Sequence, residues 1–248
     1  MWIANLLTGL ATLVLFYALL FLLVHSPLFP VKRIKVDGEL AHITREQLQY
    51  VIKNELKGTF FTLDLNKTRQ DFEKLPWVRR VEVRRRWPDK LEVNIEEHKA
   101  FARWGSSALL NQYGEKFDAA SNEALPVLEG PEGTERLMVE GLVRLSEILK
   151  SLNRKPTHLW LSDRRAWRVE LDKTLVIEVG REEPLERIGR FVKAYPNSLA
   201  LLDQPFEYVD LRYPNGFAVR LPQYIPAENR QVEKTVAPVK PLAVKASM

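Results

Sequence analysis

Hydrophobic residues form one uninterrupted run near the start of the chain, over residues 6–24, and no comparable run follows. As a helix with a rise of about 1.5 Å per residue, this run would be roughly 28 Å long, which matches the hydrocarbon core of a bilayer. The alternative is a cleaved signal peptide, but its core usually spans about 7–15 residues and no small-x-small cleavage site follows here. The pattern therefore predicts a transmembrane helix over 6–24, preceded by a short N-terminus over 1–5.

The next part of the chain changes between strand and helix periodicity. Thr44 and Gln47 have the spacing of a capping box, so a helix should begin there, and Gly58 should stop it. The predicted elements are, in order, a strand over 31–36, a helix over 44–58, a helix over 66–75, and strands over 77–87 and 91–95. Alternation predicts that Val81 and Val83 in the first of these two strands, and Leu91, Val93 and Ile95 in the second, face inward. The order of elements predicts a small two-layer α+β unit.

Further along, strand signals dominate. The predicted elements are a hairpin over 108–117, a helix over 133–152, strands over 158–161, 167–171 and 174–179, a helix over 185–194, and strands over 206–211 and 217–221. Pro214, Asn215 and Gly216 signal the last turn. The pattern predicts a larger mixed β-sheet domain with flanking helices, followed by a disordered tail over 222–248 that is rich in Pro, Lys and Ala.

Composition narrows the class of protein. The chain is 46% hydrophobic and 28% charged, as expected of globular domains, and it has no cysteine, which excludes disulfides and thiolate metal sites. A net charge of +5 is mild and does not indicate a nucleic-acid partner. Lys32, Arg33 and Lys35 follow the apolar run, so the positive-inside rule alone would place the body in the cytoplasm, although large domains can be translocated despite their charge.

Candidate chemistry is sparse. The sequence has no phosphate-binding loop, no HExxH motif and no nucleophile elbow. Four scattered histidines, of which His98 beside Glu96 and Glu97 is the best candidate for a charged pair, predict no metal site; we expect His98 to be a surface group at a strand end. The pattern predicts neither an enzyme nor a cofactor or small-molecule substrate.

Two arginine clusters have alternative interpretations. The run over 79–86 alternates with valines, which predicts a solvated strand face, with an acidic lipid or an acidic partner as the alternative. Arg164 and Arg165 lie in a polar turn, where solvation is the simpler interpretation and docking of a partner carboxylate is the functional one.

Several motifs together resemble one family. The stretches FPVKRIKVDGELAHITREQL and LPWVRRVEVRRRWPDKLEVNIEEHKAFARW resemble the POTRA domain of the FtsQ/DivIB family of bacterial cell-division proteins. SDRRAWRVEL, GREEPLERIGRFVKAYP and YVDLRYPNGFAVRL resemble the β-domain of the same family. The resemblance implies a POTRA domain over 29–98 and a β-domain over 99–221. Lys99 departs from it, since the family usually has Pro there.

The resemblance also implies a location and a role. Members are single-pass proteins of the bacterial inner membrane, with a cytoplasmic N-terminus and a periplasmic body, and this overrides the charge rule. They act in the divisome at the septum, bind the FtsB and FtsL coiled-coil proteins, and connect early to late division proteins. The alternatives from other classes are a POTRA-type chaperone or assembly factor for exported proteins and an anchored hydrolase.

We expect the final strand, over 217–221, to lie at a sheet edge, where a partner segment can add its own strand. The resemblance implies that Tyr213, Gly216 and the residues through Leu221 match the partner-binding strand of the family, with Arg164 close by. Best-known members carry Trp where this chain has Leu221. The predicted partner-binding residues are Arg164, Arg165, Tyr213, Asn215, Gly216, Phe217, Ala218, Val219, Arg220 and Leu221.

Overall fold

The computed structural model describes residues 1–25, 29–201, 206–214 and 216–220. The predicted tail over 222–248 lies outside these residues. So do Asn215 and Leu221, the last residue of the strand predicted over 217–221.

The first element is helix α1, Trp2–His25. Its apolar part, Trp2–Val24, contains no buried side chain and is the single span in the described residues that is long and apolar enough to cross a membrane. The predicted apolar helix is confirmed, and it fits a membrane anchor.

Contacts divide the chain into two compact units. The first comprises Met1–Leu128 with Glu135–Val139, and the second comprises Glu129–Thr134 with Glu140–Met248.

The first unit contains the predicted α+β domain. Its elements are β1 (Arg33–Asp37), α2 (Arg45–Asn54), α3 (Leu65–Glu73), β2 (Val78–Arg86) and β3 (Lys90–Glu97). The strand order is β1-β3-β2, with β1 parallel and β2 antiparallel to the central β3. The predicted order of strand, helix, helix, strand, strand is confirmed.

Helix α2 begins as predicted and ends earlier. The Thr44 side chain accepts from the N–H of Gln47 at 3.3 Å, and the Gln47 side chain accepts from the N–H of Thr44 at 2.9 Å, which completes the capping box. The helix ends at Asn54 rather than at Gly58. The predicted end was wrong: Glu55 caps the helix, with its N–H donating to the carbonyl of Val51, and Leu56 packs against the domain core from outside the helix.

The core of this domain lies between the helices and the sheet. The inward positions predicted for β2 and β3 are confirmed, since Val81, Leu91, Val93 and Ile95 are at most 2% exposed. The buried cluster comprises Ile43, Leu48, Val51, Leu63, Phe72, Val78, Val81, Leu91, Val93 and Ile95.

Four further strands complete the first unit. They are β4 (Ala100–Trp104), β5 (Ala108–Asn111), β6 (Lys116–Phe117) and β7 (Val127–Glu129), in the order β7-β4-β5-β6. The hairpin of β5 and β6 was predicted, whereas β4 and β7 were not.

The second unit is a five-stranded mixed sheet with helices. Its elements are α4 (Glu135–Leu149), whose first turn belongs to the first unit, β8 (Pro156–Leu161), β9 (Trp167–Leu171), β10 (Leu175–Gly180), α5 (Pro184–Ala194), β11 (Tyr208–Asp210) and β12 (Ala218–Arg220). The strand order is β12-β11-β10-β9-β8. Short 3₁₀ turns follow α4 and α5. The fold class is confirmed, although the last two strands are shorter than the sequence predicted.

Candidate partner-binding surface

The surface predicted from the sequence centres on β12, at one end of the sheet in the second unit. β12 pairs antiparallel with β11, and β11 pairs in parallel with β10. In the described part of the chain, β11 is the one strand that pairs with β12. The backbone donors and acceptors on the outer side of β12 are therefore open to another chain.

The side chains of β12 alternate between the two faces of the sheet. Val219 lies opposite the fully buried Val209, so it points to the core face. Ala218 and Arg220 are exposed on the other face. There the guanidinium of Arg220 lies 4.8 Å from the ring centre of Tyr208, which holds it on its own sheet.

At the end of β11, Asp210 and Arg212 form a two-pronged ion pair, which we call the Asp210–Arg212 fork. The buried Asp210 carboxylate accepts from Nε of Arg212 at 2.9 Å, from its Nη2 at 2.7 Å and from its backbone N–H at 3.0 Å. The Arg212 guanidinium is the main cause that lowers the pKa of Asp210, against the effect of burial. The same contact raises the pKa of Arg212. The fork fixes the direction in which the β11–β12 connection starts.

Gly180, the last residue of β10, lets two arginines approach this end of the sheet. Its φ of +84° lies in the left-handed region, and a Cβ there would be 2.8 Å from Nη1 of Arg187 and 3.2 Å from Cγ of Arg212. Nη1 of Arg187 also donates to the carbonyl of Val179 at 3.0 Å. A side chain at position 180 would displace these groups, so the position requires glycine.

A cleft of about 370 Å³ lies between α5 and the β11–β12 connection. Phe191 and Leu211, both buried, and the half-buried Phe217 form its apolar lining. The rings of Phe191 and Phe217 meet edge to face at 5.9 Å. Arg190 and the exposed Tyr213 also line the cleft. Such a cleft suits an apolar side chain next to a carboxylate.

Arg164 and Arg165 lie in the turn between β8 and β9, and both are exposed. The N–H of Arg165 donates to the carbonyl of Ser162 at 2.8 Å, which closes the turn. At the base of the turn, the Trp167 ring packs so closely on α4 that a Cβ at Gly141 would be 2.6 Å from it. The turn is anchored while its two guanidinium groups extend to solvent.

The strand register places this turn and the β11–β12 connection at the same end of the sheet. Trp167, which follows the turn, pairs with Gly180, and Glu178 pairs with Asp210, the last residue of β11. β9 and β12 are three strand spacings apart, roughly 14 Å. A partner segment lying along β12 is therefore within a few residues' reach of Arg164.

Most predicted partner-binding residues lie within this region. Asn215 and Leu221 fall outside the described residues. Those that the structure describes there are Arg164, Arg165, Tyr213, Gly216, Phe217, Ala218, Val219 and Arg220. Sequence reasoning missed the Asp210–Arg212 fork and the α5 side of the cleft. The Asp-x-Arg spacing at a strand end was the available signal for the fork.

His98 is buried, so its predicted surface position was wrong. Its ring stacks on Phe117 with centroids 4.2 Å apart, and its Nδ1 lies 3.1 Å from Nδ2 of Asn111. Burial is the main cause that lowers the pKa of His98, which keeps the ring neutral at neutral pH. Among the described residues, no group of three His, Asp or Glu side chains could hold a metal ion.

A second cleft, of about 730 Å³, lies in the first unit and has Glu96 and Glu97 in its wall. Nη1 of Arg79 donates to Glu96 at 2.6 Å, and the N–H of Ile43 donates to Glu97 at 2.9 Å. These two carboxylates are held in structural contacts, which gives the hydrolase alternative no support.

Two family models match the chain. One, described as "POTRA domain, FtsQ-type", matches residues 29–98. The other, described as "Cell division protein FtsQ/DivIB, C-terminal", matches residues 102–212. Together they cover well over half of the chain.

The chain is also similar to curated proteins, each named "Cell division protein FtsQ". That of Nitrosospira multiformis is 43% identical over 223 residues, which cover 88% of this chain and 94% of that protein. That of Burkholderia pseudomallei is 38% identical over 224 residues, covering 88% and 90%. That of Neisseria gonorrhoeae is 33% identical over 192 residues, covering 77% and 79%.

Proposed function

Because the chain belongs to the FtsQ/DivIB family of bacterial cell-division proteins, we propose that it is a divisome scaffold that binds FtsB-like and FtsL-like division proteins through β12. The partner adds an extended segment to the outer side of β12. The protein then connects early and late division proteins and performs no catalysis.

The observation that carries this proposal is the open outer edge of β12. Main-chain hydrogen bonds along an edge give affinity to an incoming strand without requiring a particular sequence. The side chain of Ala218 is small, and that of Arg220 is held on Tyr208. Neither obstructs a strand that approaches in the plane of the sheet.

Specificity comes from the two ends of the binding surface. An apolar side chain of the partner enters the cleft lined by Phe191 and Phe217, and Tyr213 covers it, since Tyr gives a large contact area at low entropic cost. A partner carboxylate pairs with Arg164 or Arg165, whose planar guanidinium groups suit bidentate contacts. The partner segment is thus extended, with an apolar anchor and an acidic residue.

The proposal includes a location and a domain organisation. Helix α1 crosses the inner membrane once, the N-terminus is cytoplasmic, and the body lies in the periplasm at the division septum. The POTRA domain spans 29–98 and contacts other divisome members, and the β-domain spans 99–221. No nucleic acid, cofactor or small-molecule substrate takes part.

A binding titration tests this function. The full chain in detergent micelles is titrated with the extracytoplasmic segment of the FtsB-like protein from the same organism, alongside Tyr213→Ala and Arg164→Glu. The matched controls are Tyr50→Ala on α2 and Arg144→Glu on α4, which change exposed residues of the same types elsewhere. Circular dichroism and thermal unfolding verify that each variant is folded.

We expect saturable binding that Tyr213→Ala and Arg164→Glu each weaken by about tenfold or more, as for central interface residues, while the controls bind like the unaltered chain. Failure of the folded chain to bind, or equal effects of the controls, would contradict the proposal. Equal binding of unrelated extended peptides would instead favour the chaperone alternative.

A further inference from the structure

One end of the POTRA sheet concentrates basic and aromatic side chains. We call residues 29–33 and 85–90 the basic tip. It contains five basic residues and a single acidic one, Asp89. The basic residues are Lys32, Arg33, Arg85, Arg86 and Lys90.

The sheet register brings these two segments together. Arg33, the first residue of β1, pairs with Lys90, the first residue of β3, and β2 ends beside them at Arg86. The N–H of Lys32 donates to the carbonyl of Asp89 at 3.0 Å, and Nη2 of Arg33 lies 3.2 Å from the Asp89 carboxylate. Asp89 thereby offsets one positive charge, and Glu92, just outside the tip, pairs with Arg86 at 2.9 Å. The five basic residues still exceed these two carboxylates, so a surplus of positive charge remains at the surface.

Aromatic side chains are exposed at the same end. Trp87, in the connection from β2 to β3, is 82% exposed, which is unusual for so large an apolar ring. Phe61 is 45% exposed and its ring meets that of Phe29 at 5.3 Å. The guanidinium of Arg85 donates to the carbonyls of Phe61 and Leu63, which ties this loop to the tip.

The chain keeps the basic tip close to the membrane anchor. Helix α1 ends at His25 and the tip begins at Phe29. Four residues can span at most about 14 Å when fully extended. If α1 crosses the bilayer, as proposed above, Phe29, the first residue of the basic tip, lies within about that distance of the end of the anchor.

We propose that the basic tip docks on the bilayer that holds the anchor, where it binds anionic phospholipid headgroups. The guanidinium and ammonium groups pair with lipid phosphates, and the Trp87 ring enters the interfacial layer, where tryptophan is enriched in membrane proteins. This surface goes beyond the partner-binding role of β12, and it works on either side of the membrane.

The other end of β2 lacks this combination of features. Nη1 of Arg79 is 2.6 Å from Glu96 and its Nε is 2.7 Å from Glu115, so two carboxylates offset its charge. Arg80, its neighbour, is exposed and lies six residues from Arg86 along the same strand, roughly 20 Å away. Arg80 therefore supplies a matched control for the basic tip.

A proximity measurement on the full chain in nanodiscs tests the proposal. The chain has no cysteine, so a single introduced cysteine can be labelled with a fluorophore. One reporter is Pro30→Cys, an exposed uncharged position in the tip, and the other is Glu39→Cys, just beyond the far end of β1. Lipids with a nitroxide on the headgroup quench the fluorophore when it is close. The nanodiscs contain phosphatidylcholine alone or mixed with phosphatidylglycerol.

In phosphatidylglycerol we expect the tip reporter to be quenched at least about threefold more than the far reporter, with the difference reduced by high salt, because headgroup attraction is electrostatic. Trp87→Ala and Arg86→Glu should reduce the difference. Tyr50→Ala and Arg80→Glu, which change the same types of residue away from the tip, should leave it unchanged. The FtsB-segment titration in detergent should be the same for Trp87→Ala and the unaltered chain.

Equal quenching of both reporters, or equal effects of Arg80→Glu and Arg86→Glu, would overturn the proposal. Quenching at the tip that appears only after an acidic division partner is added would assign the surface to protein instead of lipid, and would also overturn it. Because partner binding is measured separately in detergent, failure of lipid docking and failure of the β12 proposal are distinguishable.

Discussion

Two edge strands of this molecule, β2 and β12, differ in length and in chemistry. β2 is nine residues long, and the described part of β12 is three. Within the described residues, each forms one edge of its sheet. The longer edge offers more backbone groups, so by length alone β2 would be the better template for a partner strand.

The two edge strands differ in how their charged side chains are paired. Along β2, Arg79 pairs with Glu96, and Arg84 pairs with Glu82 within the strand. On β12, by contrast, the guanidinium of Arg220 lies over the aromatic ring of Tyr208. Lining an edge with charges is a common protection against unwanted pairing. If β12 is the docking edge, as proposed, the contrast teaches that side-chain chemistry, rather than length, decides which edge a partner uses.

The largest effect should come from removing the support of the β12 edge. Phe191 is 1% exposed and meets Phe217, so Phe191→Ala should destabilise the chain by about 3–5 kcal/mol and weaken partner binding. Phe72→Ala, in the fully buried core of the POTRA domain, should cost about as much stability. Thermal unfolding measures the loss of stability in both variants. Titration with the partner segment at low temperature, where both variants are folded, measures the loss of binding. If folded Phe191→Ala and folded Phe72→Ala bound the partner equally well, the support that Phe191 gives to β12 would not matter for binding.

The next effect should come from giving β12 the protection that β2 has. Ala218→Lys adds a charge to an exposed position on the edge, so partner affinity should fall about tenfold, which corresponds to about 1.4 kcal/mol. Stability should change by less than about 0.5 kcal/mol. Arg84→Ala on β2 is the control and should leave the affinity unchanged. An Ala218→Lys chain that binds normally would show that β12 is not the edge in use.

Removing one of the ion pairs at β2 should have a smaller effect. The Arg79 guanidinium, followed by Asn111, lowers the pKa of Glu115 from 4.5 to about 2. Stability that this carboxylate contributes is present above pH 4.5 and is lost as the pH falls towards 2. Arg79→Gln should raise the Glu115 pKa, and its loss in melting temperature should be largest above pH 4.5 and shrink in acid.

Carboxyl carbon shifts in nuclear magnetic resonance measure that pKa directly. Arg80→Gln serves as the control, since it changes the neighbouring exposed arginine. A Glu115 pKa that stays low in Arg79→Gln would show that the pair does not exist in solution.

The smallest effect should come from removing exposed charges from the edge strand β2. In Arg80→Val with Arg84→Val, two exposed charges are replaced by residues that favour strands, so weak self-association should appear at high concentration. Sedimentation in detergent measures it against the unaltered chain. A strictly monomeric double variant would mean that charges on β2 are not what keeps this edge unpaired.

Local signals explain which parts of the fold could be predicted from the sequence. The capping box at Thr44 and Gln47 and the alternation of Leu91, Val93 and Ile95 depend on near neighbours, and both are confirmed. β7 escaped prediction because its pairing with β4 joins segments more than twenty residues apart, as in Arg103 with Val127. Local periodicity contains no such information. β4 was missed although it also forms a hairpin with β5.

At the candidate site, too, features that depend on near neighbours could be predicted, and features that depend on distant segments could not. The open edge at β12 and the exposure of Arg164 agree with the sequence pattern and the family resemblance. The burial of His98 depends on Phe117 and Asn111, which lie beyond the strand that carries it. The cleft depends on α5 packing its Phe191 against Phe217, and only the folded chain places these residues together.

The positions of α1 and β12 along the chain have a consequence for synthesis. The ribosome makes the anchor over Trp2–Val24 first and the edge strand over Ala218–Arg220 about two hundred residues later. A nascent chain can thus be delivered to the membrane while β12, the proposed docking strand, is still untranslated. Partners that need β12 engage only molecules whose folding sheet has received its last strand, so prematurely terminated chains are left out of the assembly.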